Sequence, residues 1–213
     1  MTDSTHCPLC NATRSWAFFA DTRRTYLRCS TCALVYVPPE FHLSAADERA
    51  EYDKHENDVA DEGYRKFLSR LFIPLNETLG KASQGLDFGC GPGPALASMF
   101  RESGHSMALY DPFYAADSSV LGGRYDFISA TEVVEHLYFP GDELSRLWSI
   151  LAASGTLGVM TKLVLDRQAF SRWHYKNDPT HVCFFSRQTW QWWARKYGAR
   201  LSFAAADVIL LGK

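Results

Sequence analysis

The chain has 213 residues, 46% of them hydrophobic, with 22 basic and 24 acidic side chains for a formal charge of −2. That is enough for one core of roughly 150 residues plus a small appendage. The charge is too balanced for avid, non-specific nucleic-acid binding, which leaves only a local basic patch to be considered. No apolar run reaches the length of a membrane span and the N-terminus is polar, without a signal-peptide core. A cytoplasmic protein is expected, as a monomer or homodimer.

Residues 1–40 carry four of the six cysteines as two pairs, Cys7-Pro8-Leu9-Cys10 and Cys29-Ser30-Thr31-Cys32. This C-x2-C-x18-C-x2-C spacing matches a four-cysteine zinc site of the ribbon type. The segment is too small to bury a core, so metal binding would supply its folding free energy. Four thiolates leave no open position, which makes such a zinc structural. Residues 16–19 and 25–28 read as a short hairpin between the pairs, and Pro38-Pro39 ends the module. Two disulfides are the competing reading, disfavoured without a secretory signal.

Residues 41–82 read as helices. Ser44-x-x-Asp47 has the pattern of a helix N-cap. Tyr64, Phe67, Leu68, Leu71, Phe72 and Leu75 then recur at helical spacing, and Pro74 should kink or end that helix. Tyr52, His55 and Tyr64 could face a ligand, where aromatic rings would favour a cation. Packing in the core is the competing role for each.

Residues 83–213 are organised around Gly85-Leu86-Asp87-Phe88-Gly89-Cys90-Gly91-Pro92-Gly93. A strand must stop, turn tightly and restart as a helix within a few residues, and glycine permits the positive φ this requires. Backbone N–H groups at the start of that helix would face a ligand. The pattern Asp87-x-Gly89-x-Gly91-x-Gly93 resembles motif I of the class I S-adenosylmethionine-dependent methyltransferases. It does not fit the G-x-G-x-x-G nicotinamide spacing, and a P-loop is excluded because no Gly-Lys-Ser/Thr follows. The resemblance covers about residues 83–213. It implies that Asp87, Gly89, Cys90, Gly91 and Gly93 hold the amino-acid end of S-adenosylmethionine. It also implies that Asp111, next to Pro112 at the end of the following strand, binds the ribose. Thr131, Glu132 and Tyr64 complete the implied cofactor site.

Downstream, Ala95, Leu96, Met99 and Phe100 give an apolar helix face stopped at Gly104, and residues 107–110 read as a strand. Residues 113–124 are too few for an unabridged helix and strand. A buried strand at 125–130, a helix at 140–153, a strand at 156–162 and a helix at 186–197 follow, the last with Ser186 as N-cap and Gly198 as stop. Residues 200–203 and 208–211 form a closing hairpin. The expected fold is α/β: a doubly wound, Rossmann-like, seven-stranded mixed sheet with a C-terminal antiparallel hairpin, plus the small N-terminal zinc ribbon.

After the strand ending at Ala130 comes Thr131-Glu132-Val133-Val134-Glu135-His136. In a helical turn Glu132, Glu135 and His136 would share one face. Glu-x-x-Glu-His resembles the small-RNA 3′-terminal 2′-O-methyltransferases and the ubiquinone-pathway O-methyltransferases. The former resemblance implies a divalent cation, Mg or Mn among the candidates, held by Glu132, Glu135, His136 and a later histidine, here His181. Its role would be to lower the pKa of a bound hydroxyl. Without metal, His136 or His181 becomes the general base. Glu132 counts with them as a catalytic candidate, and His174 is the weaker base because it can face solvent. Trp173, Tyr175, Phe184 and Phe185 either wall the acceptor pocket or pack in the core. Cys90 and Cys183 read as buried and inert.

The expected function is methylation of a small hydroxylated molecule at oxygen, with nucleic acid an unlikely partner. The alternatives are an RNA methyltransferase guided by the zinc ribbon, a sugar C-methyltransferase, or a non-catalytic cofactor-binding module. Some nucleotide-sugar methyltransferases share a four-cysteine module, but have a large further C-terminal domain not found in these 213 residues.

Overall fold

The computed structural model describes residues 6–54 and 58–213. His55, named above as a candidate to face the ligand, lies outside them. The polar sequence of 6–33 supports only short strands, β1 (Ser15–Ala20) and β2 (Thr25–Cys29), which pair antiparallel across a turn. In that turn Asp21 Oδ1 accepts from the N–H groups of Arg23 and Arg24, at 2.9 and 3.1 Å. β3 (Val35–Tyr36) adds to β2 on the side away from β1. The two Cys-x-x-Cys segments form matching knuckles. Asn11 N–H and Ala33 N–H donate back to the Cys7 and Cys29 carbonyls, and both residues sit at φ 60°.

Two helices follow. In α1 (Ala45–Tyr52) Ser44 is the N-cap, accepting from Asp47 N–H. In α2 (Glu62–Asn76) Asp61 caps and Pro74 is tolerated in the final turn, two residues before the end. No helix among the described residues is long and apolar enough to cross a membrane.

The remaining chain alternates strand and helix through β4 (Gln84–Phe88), α3 (Ala95–Glu102), β5 (Ser106–Tyr110), β6 (Tyr125–Thr131), α4 (Pro140–Ile150) and β7 (Leu151–Met160). It ends with α5 (Arg167–Ser171), β8 (Cys183–Phe184), α6 (Arg187–Tyr197), β9 (Arg200–Phe203) and β10 (Val208–Gly212). The main sheet runs β5-β4-β6-β7-β10-β9, parallel from β5 to β7 and antiparallel in the closing pairs. Leu68, Leu71 and Leu75 of α2 pack with Leu96 and Phe100 of α3 on one face, while Leu144 and Leu147 of α4 and Trp190 and Trp193 of α6 cover the other. A strand covered on both faces is buried without alternation, as Phe127, Ile128, Ser129 and Ala130 of β6 are.

Two expectations are corrected. The main sheet has six strands among the described residues, not seven. Residues 113–124 supply only a backbone bridge between Asp111 and Ala115 and a short 3-10 segment, Ser118–Gly122, where an edge strand would need more chain. The helix expected at 140–153 stops at Ile150, because Leu151 already pairs with Tyr125 and Ser154 turns at φ 68°. β8 lies outside the main sheet. It pairs antiparallel with β3 and completes a four-stranded ribbon sheet, β1-β2-β3-β8. One continuous core runs from Cys7, Tyr26 and Val35 of the ribbon to Ile128 and Val159 of the main sheet.

Candidate functional site

A cavity of about 630 Å³ opens at the carboxyl ends of β4, β5 and β6, where ligands bind in open α/β sheets. Its floor is the turn after β4. Gly89 and Gly91 sit at φ 74° and 61°, the left-handed region that side chains resist. Gly89 N–H donates to Tyr110 O at 2.7 Å and Gly91 N–H to Asp111 Oδ2 at 3.0 Å. A Cβ on Gly89 would come within 2.4 Å of Val133 Cγ2, so the loop lies directly on the exit of β6. Gly89, Cys90, Gly91 and Pro92 line the cavity. Gly93 does not; its carbonyl accepts Ala95 N–H at 2.7 Å as α3 begins.

Asp111 and Pro112 line the cavity beside this loop. Asp111 Oδ1 accepts from Phe113 and Tyr114 N–H at 2.9 and 3.1 Å, so three main-chain donors fix the carboxylate. Asp87 stands behind the loop and lines nothing. It is buried, and Ser129 Oγ donates to it at 2.7 Å. Burial pushes its pKa up to about 6, against the Ser129 bond, which lowers it. Tyr64 contributes its ring from α2, and burial raises its hydroxyl to about 12.

Across the cavity the Thr131–His136 segment is not helical. Glu132 occupies φ 51° with its N–H on Met160 O at 2.8 Å, and a single turn follows in which His136 N–H donates to Val133 O at 3.0 Å. The shared helical face expected for Glu132, Glu135 and His136 therefore does not form. Glu135, His136 and His181 have ligand atoms within 4.8 Å of one another, and Glu132 is outside that group. Thr131, Glu132, His136 and His181 line the cavity, whereas Glu135 is fully buried behind it. The two glutamates meet at Tyr175, whose hydroxyl donates to Glu132 Oε2 at 3.3 Å and to Glu135 Oε1. Burial raises Glu132 to about 7; burial and then the charge of Glu132 raise Glu135 to about 8. Glu135 Oε2 has no hydrogen-bond partner among the described residues.

His181 has a defined tautomer. Its Nδ1 lies 2.7 Å from Tyr175 O, and a carbonyl only accepts, so Nδ1 carries the proton and Nε2 keeps a lone pair. Burial lowers its pKa and keeps the ring neutral; Asp178, 3.8 Å from Nε2, pulls the other way. The His136 ring stands 4.6 Å from His181 and 5.3 Å from Tyr52. His174 lies instead beside Lys162 Nζ at 3.2 Å in an exposed position.

None of Trp173, Tyr175, Phe184 and Phe185 lines the cavity, and the core reading holds for the cluster. Phe184 packs edge-on to Phe170 and Tyr26, at 5.3 and 5.8 Å, Trp173 stands 5.9 Å from Phe170, and Phe185 stacks on Trp190 at 4.7 Å. Cys90 and Cys183 are buried, with Cys183 Sγ on Leu137 O at 3.2 Å. Sequence reasoning missed Glu48, Tyr138 and Asp178. Glu48, buried on an otherwise solvated α1, accepts from Tyr52 and Tyr138 hydroxyls at 2.7 and 3.1 Å. No spacing signal marks it, because only the tertiary fold turns that face inward.

The ribbon cysteines converge. Cys7 and Cys32 sulfurs are 3.5 Å apart, as are those of Cys10 and Cys29, and all four lie within 4.8 Å. No disulfide joins any of the six cysteines. A disulfide would need about 2.0 Å between sulfurs, whereas tetrahedral thiolates at about 2.3 Å from zinc stand roughly 3.8 Å apart. The tetrad fits zinc.

The family described as "Methyltransferase domain" matches residues 54–202. Among solved structures the fold is similar to that of the Burkholderia thailandensis 1,6-didemethyltoxoflavin-N1-methyltransferase, solved with 1,6-didemethyltoxoflavin and S-adenosylhomocysteine. That likeness has a TM-score of 0.52 at 14% identity and covers 92% of this chain and 97% of that one. It is also similar to a SAM-dependent methyltransferase from Archaeoglobus fulgidus, with a TM-score of 0.53 at 16% identity, covering 70% of this chain and 94% of that one. No curated protein matches.

Proposed function

Since the chain belongs to the class I S-adenosylmethionine-dependent methyltransferases, we propose that it methylates a hydroxyl oxygen of a small, uncharged or cationic molecule, with His181 as general base. The single observation that carries this reading is His181, neutral and aimed by its Nδ1–H, with its Nε2 lone pair beside the cavity. When bound, the sulfonium supplies a methyl group to an aligned nucleophile and leaves as a thioether. The backbone of Gly89–Pro92 and the carboxylate of Asp111 hold and orient the donor. His181 Nε2 takes the acceptor proton, and Asp178 stabilises the resulting imidazolium.

The electrostatics favour this class of acceptor. Glu48, Asp111, Glu132, Glu143 and Asp178 line the cavity, and among the described residues no lysine or arginine does. A polyphosphate or an RNA strand would meet like charge there. A sulfonium and a neutral or cationic acceptor would not. We also assign Cys7, Cys10, Cys29 and Cys32 to one structural zinc.

The test is transfer from labelled S-adenosylmethionine to a panel of phenols, catechols and neutral polyols, with amines and bulk tRNA as controls. For a hydroxyl acceptor, His181→Gln should lower kcat by about 10²–10⁴-fold. Transfer confined to tRNA or to amines, or unaffected by His181→Gln, overturns the proposal. A second reading rests on Glu135 Oε2, which has no hydrogen-bond partner among the described residues: Glu135, His136 and His181 would hold a divalent ion of the manganese-to-zinc series, which would acidify the hydroxyl. It predicts loss of activity in a chelator that spares the ribbon metal, and in Glu135→Ala.

A further inference from the structure

The base sits at the end of a loop, residues 174–181, that reaches the exits of β6 and β7 only through side chains, Tyr175 on Thr161, Glu132 and Glu135 and His174 on Lys162. Its carbonyls are taken up instead by the ribbon. Arg24, in the turn between β1 and β2, is buried at 8% exposure. Its Nη2 donates to Lys176 O and Asp178 O, both at 2.7 Å, and its Nη1 to Pro179 O at 3.1 Å. Nε donates to Tyr26 Oη at 3.0 Å, and that hydroxyl donates on to Lys176 O at 3.2 Å. Around this fork, Arg23 Nη1 reaches Asn177 O at 3.2 Å and Lys176 Nζ returns to Asp21 Oδ2 at 2.9 Å. Beyond His181 the chain is pinned again, with Val37 N–H on Val182 O at 2.8 Å and β8 paired to β3. A planar guanidinium that satisfies three carbonyls of one loop fixes its path in a way no apolar side chain could.

We infer that the ribbon is a working part of the acceptor site, with Arg24 as the positioning residue that sets the direction of the His181 imidazole. The inference deepens the assignment of His181 as base and rests on it. The chain of dependence is short. Cys29, one of the four clustered thiols, ends β2; β2 and its turn carry Arg24; Arg24 fixes residues 176–179; and Tyr175 O, in the same loop, receives His181 Nδ1–H. Loss of the ribbon's metal would then disable the base while leaving the Gly89–Asp111 side intact, because that side is built from β4, β5 and their own turns.

The test needs no acceptor. In the full chain labelled with 15N-histidine, the His181 Nδ1–H held by Tyr175 O should give a slowly exchanging imidazole resonance. In Arg24→Gln its exchange should quicken by at least about tenfold, or the signal should vanish. His105 is the internal control. Its Nδ1 accepts Ser83 N–H at 3.1 Å, its Nε2 bonds Asn76 Oδ1 at 3.0 Å, and its signal should not change. S-adenosylhomocysteine should bind Arg24→Gln within about twofold of wild type. If that variant loses both histidine signals it has not folded. Arg24→Lys, which keeps the charge but not the fork, and zinc withdrawal by a chelator then make the same comparison. An unchanged His181 signal in whichever of these stays folded overturns the inference, as does the absence of that signal in wild type. Failure of the base assignment looks different: methyl transfer survives His181→Gln while the imidazole spectrum of wild type and Arg24→Gln is as described.

Discussion

Gly89→Ala tests the cofactor loop most directly. At φ 74° an alanine pays the left-handed penalty of about 1–2 kcal/mol. Its Cβ would also lie 2.4 Å from Val133 Cγ2 and 2.9 Å from Val133 Cγ1. Carbon atoms rest near 3.5–4.0 Å apart, and a β-branched side chain cannot swing both methyls away. Overpacking of this kind costs about 1–3 kcal/mol. The two effects together should lower Tm by roughly 10 °C in a protein of this size. The loop can relieve the clash only by moving away from β6. That would break the 2.7 Å bond from Gly89 N–H to Tyr110 O and displace the Gly91 N–H held by Asp111. Calorimetric titration with S-adenosylhomocysteine should therefore show Kd raised by at least about tenfold. Adding Val133→Ala removes both methyls but not the strained φ, so the double variant should recover only part of each loss. A single variant that melts within about 2 °C of wild type and binds with unchanged affinity would refute the assignment of this turn as the cofactor's cradle.

Three further outcomes are expected. Asp111→Asn places an amide against Gly91 N–H, donor against donor, and should weaken S-adenosylhomocysteine by about 10–100-fold in the same titration. Asp87 is raised from 3.8 to about 6, so the folded protein holds its proton more tightly than the unfolded chain. Its contribution to stability is greatest below about pH 4 and is lost as pH rises through about 6, by up to about 3 kcal/mol. Asp87→Asn should flatten that part of the Tm-against-pH curve, and an unaltered slope would contradict the assignment. Elemental analysis should find one zinc per chain, and its removal should lower Tm by more than about 10 °C, since a metal held by the four cysteines would supply folding free energy to the ribbon.

Local signals survived folding where they were chemically self-contained. Ser186 and Thr189 form a reciprocal capping box at the start of α6, and Gly198 ends it at φ 67°. The positive φ at Gly89 and Gly91 and the cysteine spacing are likewise properties of a few adjacent residues. What was illegible depends on distant chain. Glu132, Glu135 and His136 have helical spacing, but Glu132 N–H is claimed by Met160 O, which forces a left-handed residue where a helix would begin. The aromatic cluster around Phe184 has the composition of a pocket wall. It became core because the ribbon supplies Phe18, Phe19 and Tyr26 to cover it. Glu48 shows the reverse case, a charge on a helix of solvated character that the fold turns toward the cavity.

The pairing of β3 with β8 has a bearing on how the chain is made. Val35 and Phe184 are about 150 positions apart, so this ladder is among the longest-range contacts in the molecule and the entropy of closing that loop must be met late. Synthesis runs from β3 towards β8, so β3 waits with a bare edge until the residues between them have left the ribosome. A waiting strand of Val-Tyr flanked by Leu34 and Val37 is a template for pairing with a neighbouring nascent chain. The arrival of β8 removes that template and draws residues 174–181 against the ribbon.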